Sequence, residues 1–225
     1  MKFKGWEKLF EDDKNRWEKP NPYINLLEDK LKKFFRDKIH VLDVGYGAGR
    51  HIIYFNKEKF LVSGFDIAPT AKNYTEKLIS LSSNKIDLKT FDMNQIPWLY
   101  KTEYFEGVIA INVIHHTNYN NFTKIIHEIA RIMVKDGLFL ATIASKENYK
   151  YKKGKKIDEY TFLTDIGAEK GIPHCFLDKS DITKIFTPKF QLLELRLICG
   201  EIPQDDIYFK NKIDLDHWLI FAQRK

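Results

Sequence analysis

The sequence lacks a long apolar run. No stretch of its 225 residues reaches the ~18 to 20 consecutive apolar residues that a membrane-spanning helix needs. The N-terminal residues, which run from Met1 through Lys2 and Lys4 into an acidic stretch, have no apolar core of a signal peptide. Apolar residues make up 44% and charged residues 30% of the chain, as in globular proteins. These features predict a cytoplasmic protein with no membrane partner.

Cysteine is scarce, with Cys175 and Cys199 alone. Two distant thiols in a cytosolic chain favour free or buried cysteines over a disulfide framework. They cannot form a thiolate zinc cluster by themselves. His115 and His116 are adjacent, which makes them awkward joint ligands, and no cluster of cysteines or carboxylates completes a set of four. The sequence therefore predicts no metal site.

Internal repeats, low-complexity tracts and long linkers are also missing. From about residue 39 to 144, short apolar runs alternate with amphipathic stretches, and this alternation predicts βαβ units around a parallel sheet, an α/β fold. The predicted helix through Phe122 and Met133 ends at Asp136-Gly137, where the glycine can take a left-handed cap. The predicted strands are 39–44, 60–65, 86–91, 107–111, 138–143, 190–198 and 217–222, and the other helices are 50–56, 71–81 and 180–186.

Two segments break this alternation. Residues 1–38 precede the first strand and are predicted to be helical, with aromatic residues at Trp6, Trp17 and Tyr23. Residues 145–177 separate the fifth strand from the next helix. Ligands of open α/β sheets bind beyond the carboxyl ends of the strands. Both segments are therefore candidate substrate lids on a domain that spans residues 39–225.

A glycine-rich loop follows the first predicted strand, in Asp43-Val44-Gly45-Tyr46-Gly47-Ala48-Gly49-Arg50. Glycines let a backbone turn sharply and approach a ligand without interfering Cβ atoms. Asp66 ends the second strand and can accept hydrogen bonds from two ribose hydroxyls, and Asp92 ends the third and can accept from an adenine amine. Glycines alone indicate a tight turn as readily as a site, but this combination predicts a nucleoside-cofactor site.

The same loop discriminates between nucleoside cofactors. The dinucleotide fingerprint G-x-G-x-x-G requires a third glycine where this chain has Arg50. Asp43 would repel a pyrophosphate but could help to bind a cationic amino acid. S-adenosylmethionine carries an ammonium and a sulfonium and no phosphate, so it matches better than NAD. The phosphate loop G-x-x-x-x-G-K-[ST] is absent.

The stretch from Asp43 to Gly49 resembles motif I of the class I S-adenosylmethionine-dependent methyltransferases. The resemblance covers about residues 39–144. It implies a Rossmann-like three-layer sandwich with helices on both faces of a seven-stranded, mostly parallel sheet of order 3-2-1-4-5-7-6, in which strand seven is antiparallel. It also implies S-adenosylmethionine as cofactor and S-adenosylhomocysteine as product.

The resemblance further assigns roles to residues. Gly45 and Gly47 line the methionine moiety, Asp66 holds the ribose, and Asp92 with the Met93 backbone holds the adenine. Tyr46 replaces the small residue common in the family. Apart from the resemblance, the Arg50 guanidinium could pair with the methionine carboxylate or with a substrate anion, or it could be a solvated arginine in the first turn of the helix. The complete predicted cofactor-binding set is Asp43, Gly45, Tyr46, Gly47, Gly49, Arg50, Asp66, Ile67, Asp92, Met93 and Asn112.

Three histidines are the candidate catalytic residues. Methyl transfer is an in-line displacement that mainly needs positioning, and a base is required when the nucleophile arrives protonated. His115 and His116 follow the fourth strand, and each could accept the substrate proton or simply bind the cofactor or backbone. His174, in Gly171-Ile172-Pro173-His174, lies in the second candidate lid and either faces the substrate or packs on aromatic rings.

The acceptor is predicted to be a small molecule, since the chain is little longer than the core. The net charge of +6 and the interleaved Tyr149–Lys156 stretch leave open an RNA or protein acceptor, although nucleic acid is the less favoured partner. No N-P-P-aromatic signature of base-amino methyltransferases follows the fourth strand. A non-catalytic S-adenosylmethionine-binding protein is the alternative from another class, and the chain is expected to be a monomer or homodimer.

Overall fold

The computed structural model describes residues 6–7, 19–79, 86–165, 169–198 and 216–225. The fold is a seven-stranded sheet. Its strands are β1 (His40–Val44), β2 (Leu61–Asp66), β3 (Asp87–Thr90), β4 (Phe105–Ile111), β5 (Met133–Ala144), β9 (Phe190–Ile198) and β10 (His217–Arg224). They lie in the order β3-β2-β1-β4-β5-β10-β9, in which neighbouring strands from β3 to β5 are parallel and β10 is antiparallel to both β5 and β9. With β9 and β10 as sixth and seventh strands, the predicted order is confirmed.

Helices cover both faces of this sheet, as predicted. They are α1 (Ile24–Phe34), α2 (Arg50–Lys57), α3 (Pro69–Ile79), α4 (Tyr119–Ile132) and α5 (Lys179–Phe186). Successive side chains of a strand point to opposite faces. Val108 of β4 accordingly joins a core cluster with α4 and α5, and Ile109 joins a second cluster with α1, α2 and α3. The near-continuous apolar runs of the central strands follow from burial on both faces.

The predicted end of α4 is wrong. The helix ends at Ile132, and β5 begins at Met133 instead of Leu138. Asp136, not Gly137, has the left-handed backbone, with φ of 64°. Met133 already pairs with Phe105 before the register shifts, so strand pairing with β4 replaces the last predicted turn of helix.

The segment 145–177 contains a second, small sheet that the sequence did not predict. Its three antiparallel strands are β6 (Lys155–Lys156), β7 (Thr161–Leu163) and β8 (Pro173–Cys175), in that order. Phe162 and Phe176 form a small apolar cluster with Ala144 at the end of β5. The Cys175 amide donates to the His115 carbonyl at 2.8 Å, which ties the small sheet to the chain after β4.

The described residues of the segment 1–38 lie in two different places, on the sheet and at its carboxyl edge. Helix α1 packs on the sheet, with Ile24, Leu27 and Leu31 fully buried. Trp6 lies against His116 at the carboxyl edge, with ring centroids 4.8 Å apart. A lid role therefore stays a prediction for the residues before α1, while α1 itself belongs to the core.

Cys175 is buried and free. Trp17, Cys199 and the predicted last turn of the helix 71–81 lie outside the described residues. Within the described part of the chain, no helix has the length and apolar character needed to cross a membrane.

Candidate functional site at the carboxyl edge of the sheet

The glycine loop, Gly45–Gly49, connects β1 to α2. Gly45, Gly47 and Gly49 have φ of 65°, 54° and 80°, in the left-handed region that favours glycine. A Cβ atom on Gly45 would lie 2.2 Å from Cγ2 of Val113, and one on Gly49 would lie 2.4 Å from Cγ2 of Thr75. Both backbone conformation and close packing therefore require glycine at these two positions.

Asp66, at the end of β2, is hydrogen-bonded to this loop. Its Oδ2 accepts a hydrogen bond from the Gly47 amide at 3.0 Å, and its Oδ1 accepts from the Ala68 amide at 2.9 Å. Burial raises the pKa of Asp66 to about 6, although these amides act in the opposite direction. Each carboxylate oxygen has further lone-pair capacity, so Asp66 can also accept from hydroxyl groups of a ligand.

Asp43 lies on β1 beneath the glycine loop and is almost fully buried. Its Oδ2 accepts no hydrogen bond from the described residues, and the Nδ1 atom of His51 lies 3.5 Å away. The Nε2 atom of His51 accepts from the Asn21 amide at 3.2 Å, so the hydrogen of the neutral ring is on Nδ1 and faces Asp43. Burial lowers the pKa of His51, which keeps the ring neutral. Asp43 thus offers a buried acceptor oxygen to a cationic ligand group.

Two other predicted residues of the loop have structural partners. The Tyr46 side chain is buried among the core residues of α2 and β2, and burial raises its pKa. Its ring lies 2.7 Å from the position of a Cβ atom on Gly64, so it fills space below the loop. The Arg50 guanidinium donates to the Lys19 carbonyl at 3.2 Å, which ties α2 to the chain before α1.

The turn after β3 contains the predicted adenine site. Asp92 Oδ1 accepts from the backbone and side-chain amides of Asn94, at 2.9 and 2.8 Å. The Trp98 indole donates to the Met93 carbonyl at 2.9 Å. The Phe91 amide donates to the Asp66 carbonyl at 2.8 Å, which holds this turn beside β2 and Ile67. These bonds fix the turn in which the family resemblance assigns Asp92 and the Met93 backbone to adenine.

Asn112, directly after β4, connects the two ends of the site. It has a left-handed backbone with φ of 55°. Its amide donates to Thr142 Oγ1 at 2.9 Å, and the Thr142 hydroxyl donates to Asn112 Oδ1 at 2.6 Å. Its carbonyl accepts from Nε2 of His116 at 3.1 Å. The next residue, Val113, packs against Gly45, so the histidines lie close to the glycine loop.

The three predicted catalytic histidines lie together. We call His115, His116 and His174 the histidine cluster, and all three are buried. The ring centroids of His115 and His116 are 4.1 Å apart, and those of His116 and His174 are 4.5 Å apart. The ring of His217, from β10, lies 5.4 Å from that of His115. Residues far apart in sequence are joined here because β4, β5 and β10 are neighbours in the sheet.

Glu169 and Lys150 provide charge beside the histidine cluster. Glu169 Oε2 lies 3.0 Å from Nε2 of His174, Oε1 lies 3.9 Å from Nε2 of His116, and Lys150 forms an ion pair with Oε2. Burial lowers the pKa of His116 to about 3, and burial together with the neighbouring histidines lowers the pKa of His115 well below its usual range. Burial raises the pKa of Glu169, but the His174 hydrogen bond and the nearby cations outweigh it and lower that pKa well below its usual range.

Sequence reasoning missed several functional neighbours, namely His51, Thr142, Lys150, Glu169 and His217. His51 had a weak signal, since it is the second residue of the helix that follows the glycine loop. The other four gave no local signal, because each contact depends on strand order or on the fold of the segment 145–177. His174 joins His115 and His116, so three histidine rings and not two lie together, and the absence of a metal site stays a prediction.

The basic stretch Tyr149–Lys156 is engaged with the protein itself. Lys150 binds Glu169, and its ammonium lies 5.9 Å from the Tyr149 ring centroid. The Tyr151 ring packs against Phe162 and Phe176 at centroid distances of 5.7 and 5.5 Å. Stacking of nucleic-acid bases on Tyr151 would therefore compete with core packing.

A separate cavity of about 390 Å³ lies at the opposite, amino edge of the parallel strands. It lies between the end of α4 and the end of β10, and Arg131 and Arg224 are among its lining residues. None of the predicted site residues lines this cavity, so the cavity is not part of the candidate site.

Comparison with known proteins gives a family similarity for part of the chain. Residues 41–137, from β1 to the start of β5, match the sequence profile of a methyltransferase-domain family. This is the region that also resembles the class I S-adenosylmethionine-dependent methyltransferases. The profile includes the glycine loop, Asp66, Asp92, Asn112 and the pair His115-His116. The match ends before the small sheet and His174.

Two solved structures have the same fold. A SAM-dependent methyltransferase from Methanosarcina mazei is similar with a TM-score of 0.69 and 16% identity, over 91% of this chain and 98% of that one. The 1,6-didemethyltoxoflavin-N1-methyltransferase of Burkholderia thailandensis, with bound 1,6-didemethyltoxoflavin and S-adenosylhomocysteine, has a TM-score of 0.65 and 15% identity, over 91% and 77%.

One curated relative is an uncharacterized protein of Methanocaldococcus jannaschii. It is 26% identical over 132 residues, which are 58% of this chain and 47% of the relative. The chain thus matches about half the length of that relative. This similarity adds no information on the substrate.

The cofactor of this class is S-adenosylmethionine, and the residues present fit it. The buried, unpartnered Oδ2 of Asp43 suits the ammonium group better than it would suit a phosphate. The glycine loop exposes backbone without Cβ atoms, and Asp66 has spare acceptor capacity for ribose hydroxyls. The individual contacts of the predicted set stay predictions.

Proposed function

We propose that this protein is an enzyme that transfers the methyl group of S-adenosylmethionine to a small-molecule acceptor. The observation that carries the proposal is the position of Asn112. Its carbonyl holds His116, and its neighbour Val113 contacts the glycine loop. The methyl donor and the histidine cluster would therefore meet at one point of the carboxyl edge.

The burial of the histidine cluster favours a small acceptor. His115, His116 and His174 are each at most 8% exposed. The small sheet packs beside them through Cys175, and Trp6 lies against His116. A macromolecule would have to open this cover, whereas a small molecule can be enclosed by it. The Burkholderia methyltransferase of the same fold binds a small heterocycle, which agrees with this choice.

The reaction would be an in-line displacement. A lone pair of the acceptor forms a bond to the methyl carbon, the carbon–sulfur bond breaks, and its electron pair stays on sulfur, which leaves S-adenosylhomocysteine. The sulfonium already activates the carbon, so alignment of the two reactants supplies most of the rate gain. The chain's own contribution is to hold the donor on the glycine loop and Asp66 and the acceptor beside the histidine cluster.

The Nδ1 atoms of His115 and His116 are the groups proposed to contact the acceptor. Both are buried without a hydrogen-bond partner among the described residues. The lowered pKa values keep both rings neutral at neutral pH. His116 carries its hydrogen on Nε2, which faces the Asn112 carbonyl, so its Nδ1 can accept a hydrogen bond from an acceptor N–H or O–H, and Nδ1 of His115 can do the same in the tautomer with its hydrogen on Nε2. The same low pKa makes them weak bases, and their main role would be orientation rather than full proton removal.

An RNA acceptor is the second candidate, and the exposed lysines of the small sheet favour it. Lys152, Lys153, Lys155 and Lys156 are exposed. RNA binding through such residues weakens steeply as salt rises. Retention of bulk tRNA on filters at 50 mM and 200 mM salt, chosen as assay conditions, would reveal it.

Cofactor binding is tested by calorimetry with S-adenosylhomocysteine. We expect one-site binding to the wild type and an affinity about 100-fold lower in Asp66→Ala, since two charge-assisted hydrogen bonds at roughly 1.5 kcal/mol each are lost. Asp29→Ala, at an exposed position on α1, is the matched control and should bind normally. Absence of binding to folded wild type would contradict the proposal.

Catalysis is tested separately, by formation of S-adenosylhomocysteine in the presence of panels of small amines, phenols and thiols. Methylation of one panel member is the expected result, with a rate at limiting S-adenosylmethionine that falls in Asp66→Ala in line with its weaker cofactor binding. The opposite outcome would be cofactor binding with no methylation of any small acceptor, together with salt-sensitive binding and methylation of tRNA. That outcome would show that the acceptor is RNA and not a small molecule.

A further inference from the structure

The histidine cluster contains more nitrogen ligands than methyl transfer requires. One ring nitrogen from each of His115, His116 and His174 lies within 4.8 Å of the other two. Imidazole nitrogen is a preferred ligand of Zn²⁺, Fe²⁺, Ni²⁺ and Cu²⁺. Three protein nitrogens with an open fourth position are the donor set of catalytic zinc sites.

Hydrogen bonds to backbone carbonyls fix the tautomers of two of these rings. A carbonyl oxygen can only accept, so His116 carries its hydrogen on Nε2, which faces the Asn112 carbonyl at 3.1 Å. By the same reasoning His174 carries its hydrogen on Nδ1, which faces the Ile172 carbonyl at 3.0 Å. In metal sites, the ligating histidine commonly donates its other ring N–H to a carbonyl or carboxylate. Both rings have this arrangement.

The remaining nitrogen of each ring faces no hydrogen-bond donor among the described residues. His174 Nε2 lies 3.0 Å from Glu169 Oε2, and because Nδ1 faces the Ile172 carbonyl, Nε2 can donate to Glu169 only when the ring carries a hydrogen on both nitrogens. His116 Nδ1 and His115 Nδ1 are buried with no hydrogen-bond partner among the described residues. Buried lone pairs without a donor are costly. A second proton on His174 would satisfy one of these contacts, and a metal ion would satisfy the whole group.

We propose that His115, His116 and His174 bind a divalent first-row transition metal ion, with Glu169 as a neighbouring carboxylate. At Zn–N distances of about 2.1 Å, the ligand nitrogens of a tetrahedral site lie about 3.4 Å apart, so the rings must close in by roughly 1 Å. The site goes beyond the proposed function, because it binds metal whether or not methyl groups are transferred. With the ion bound, the ligand nitrogens would no longer contact the acceptor directly, and the open position of the ion would hold an anionic donor atom of the acceptor instead.

The charged residues around the histidine cluster should influence its affinity for a metal ion in opposite directions. Lys150 forms an ion pair with Glu169. The positive charge of Lys150 would repel a metal ion bound to the neighbouring histidines. His217 lies on the other side, with its ring 5.4 Å from that of His115. Replacement of Lys150 by methionine should therefore strengthen metal binding, and Glu169→Gln should weaken it. A merely structural role of these residues would change metal affinity in neither direction.

The test uses tag-free protein, treated with a chelator and then titrated with Co²⁺ and Zn²⁺ in the absence of cofactor. We expect one Co²⁺ per chain with visible absorption bands of a nitrogen-ligated, low-coordinate ion. Zn²⁺ should displace it, with an affinity that falls at least ~100-fold in His116→Ala and His174→Gln, given that loss of outer-shell partners alone costs 10–100-fold. His127→Ala, at an exposed position on α4, should bind like the wild type.

The wild-type titration alone can overturn the proposal, even if the variants fail to fold. Absence of cobalt absorption bands at a tenfold excess of metal would show that the histidine cluster binds no metal ion, which overturns the proposal. Equal Zn²⁺ affinity in wild type, His116→Ala and His127→Ala would show adventitious surface binding, which also overturns it. Calorimetry with S-adenosylhomocysteine on the same samples reports cofactor binding independently, so failure of one proposal is distinguishable from failure of the other.

Discussion

The glycine loop with Asp66 and the histidine cluster lie at the same edge of the sheet but differ in construction. The loop uses backbone groups of consecutive residues, which Asp66 holds through the Gly47 and Ala68 amides. The cluster uses side chains from separate segments, brought together by β4, the small sheet and β10. Backbone architecture has a local sequence pattern, whereas a side-chain cluster depends on which strands are neighbours. The first is therefore visible in sequence and the second is not.

Glycine substitutions compare the two regions most sharply. Gly45 in the loop and Gly171 in the segment before β8 both have positive φ, of 65° and 82°. A Cβ atom at Gly45 meets Val113 at 2.2 Å, and one at Gly171 meets nothing within 4 Å. We expect Gly45→Ala to cost about 3 kcal/mol from backbone strain and overpacking, and Gly171→Ala about 1 kcal/mol from strain alone.

Urea denaturation of both variants measures these costs. The double variant Gly45→Ala with Val113→Ala should recover the part due to overpacking, because it removes the colliding methyl groups. Equal losses in Gly45→Ala and Gly171→Ala would show that the loop is held by backbone conformation alone, and the comparison would lose its basis.

Thr142 tests the connection between the two regions. Its buried hydroxyl exchanges two hydrogen bonds with Asn112, at 2.9 and 2.6 Å. Thr142→Val keeps the shape and leaves the Asn112 amide and Oδ1 without partners, which should cost about 2 kcal/mol of folding free energy. Thr142→Ser retains the hydroxyl and should cost clearly less. If Thr142→Val and Thr142→Ser unfold at the same temperature, the hydrogen bonds between Thr142 and Asn112 do not stabilise the fold.

Acid should weaken cofactor binding through Asp66. Burial raises its pKa to about 6, so the carboxylate is ionised at pH 7 and becomes protonated as pH falls through 6. The protonated group loses acceptor capacity, and the affinity for S-adenosylhomocysteine should drop up to ~10-fold between pH 7 and pH 5, following the ionised fraction. Calorimetry at pH 7, 6 and 5 measures this, with circular dichroism to confirm folding. A flat profile would contradict the role of ionised Asp66.

Much of the fold could be predicted from the sequence. The strand order and both helical layers were confirmed, because the alternation of apolar runs and amphipathic stretches directly reports burial of a parallel sheet. The end of α4 could not be predicted, since pairing of Met133 with Phe105 overrides a local glycine signal. The small sheet in the segment 145–177 was missed, because its strands are only two or three residues long.

The candidate site was predictable in parts. The glycine loop, Asp66 and the pair His115-His116 follow strands β1, β2 and β4, so their position at the carboxyl edge follows from the α/β pattern. The Glu169 and His217 contacts were not predictable, because they require the fold of a segment without a periodic pattern and the antiparallel return of β10.

The sequence by itself determined the βαβ architecture, the glycine loop and the two acids that follow it, because hydrophobic period and glycine spacing are local properties of the chain. Only the tertiary structure decided that Oδ2 of Asp43 is buried with the His51 ring 3.5 Å away, that Asn112 joins the loop to His116, and that His174 meets the pair after β4. These contacts arise from strand order and close packing, which place residues tens of positions apart within a few ångströms.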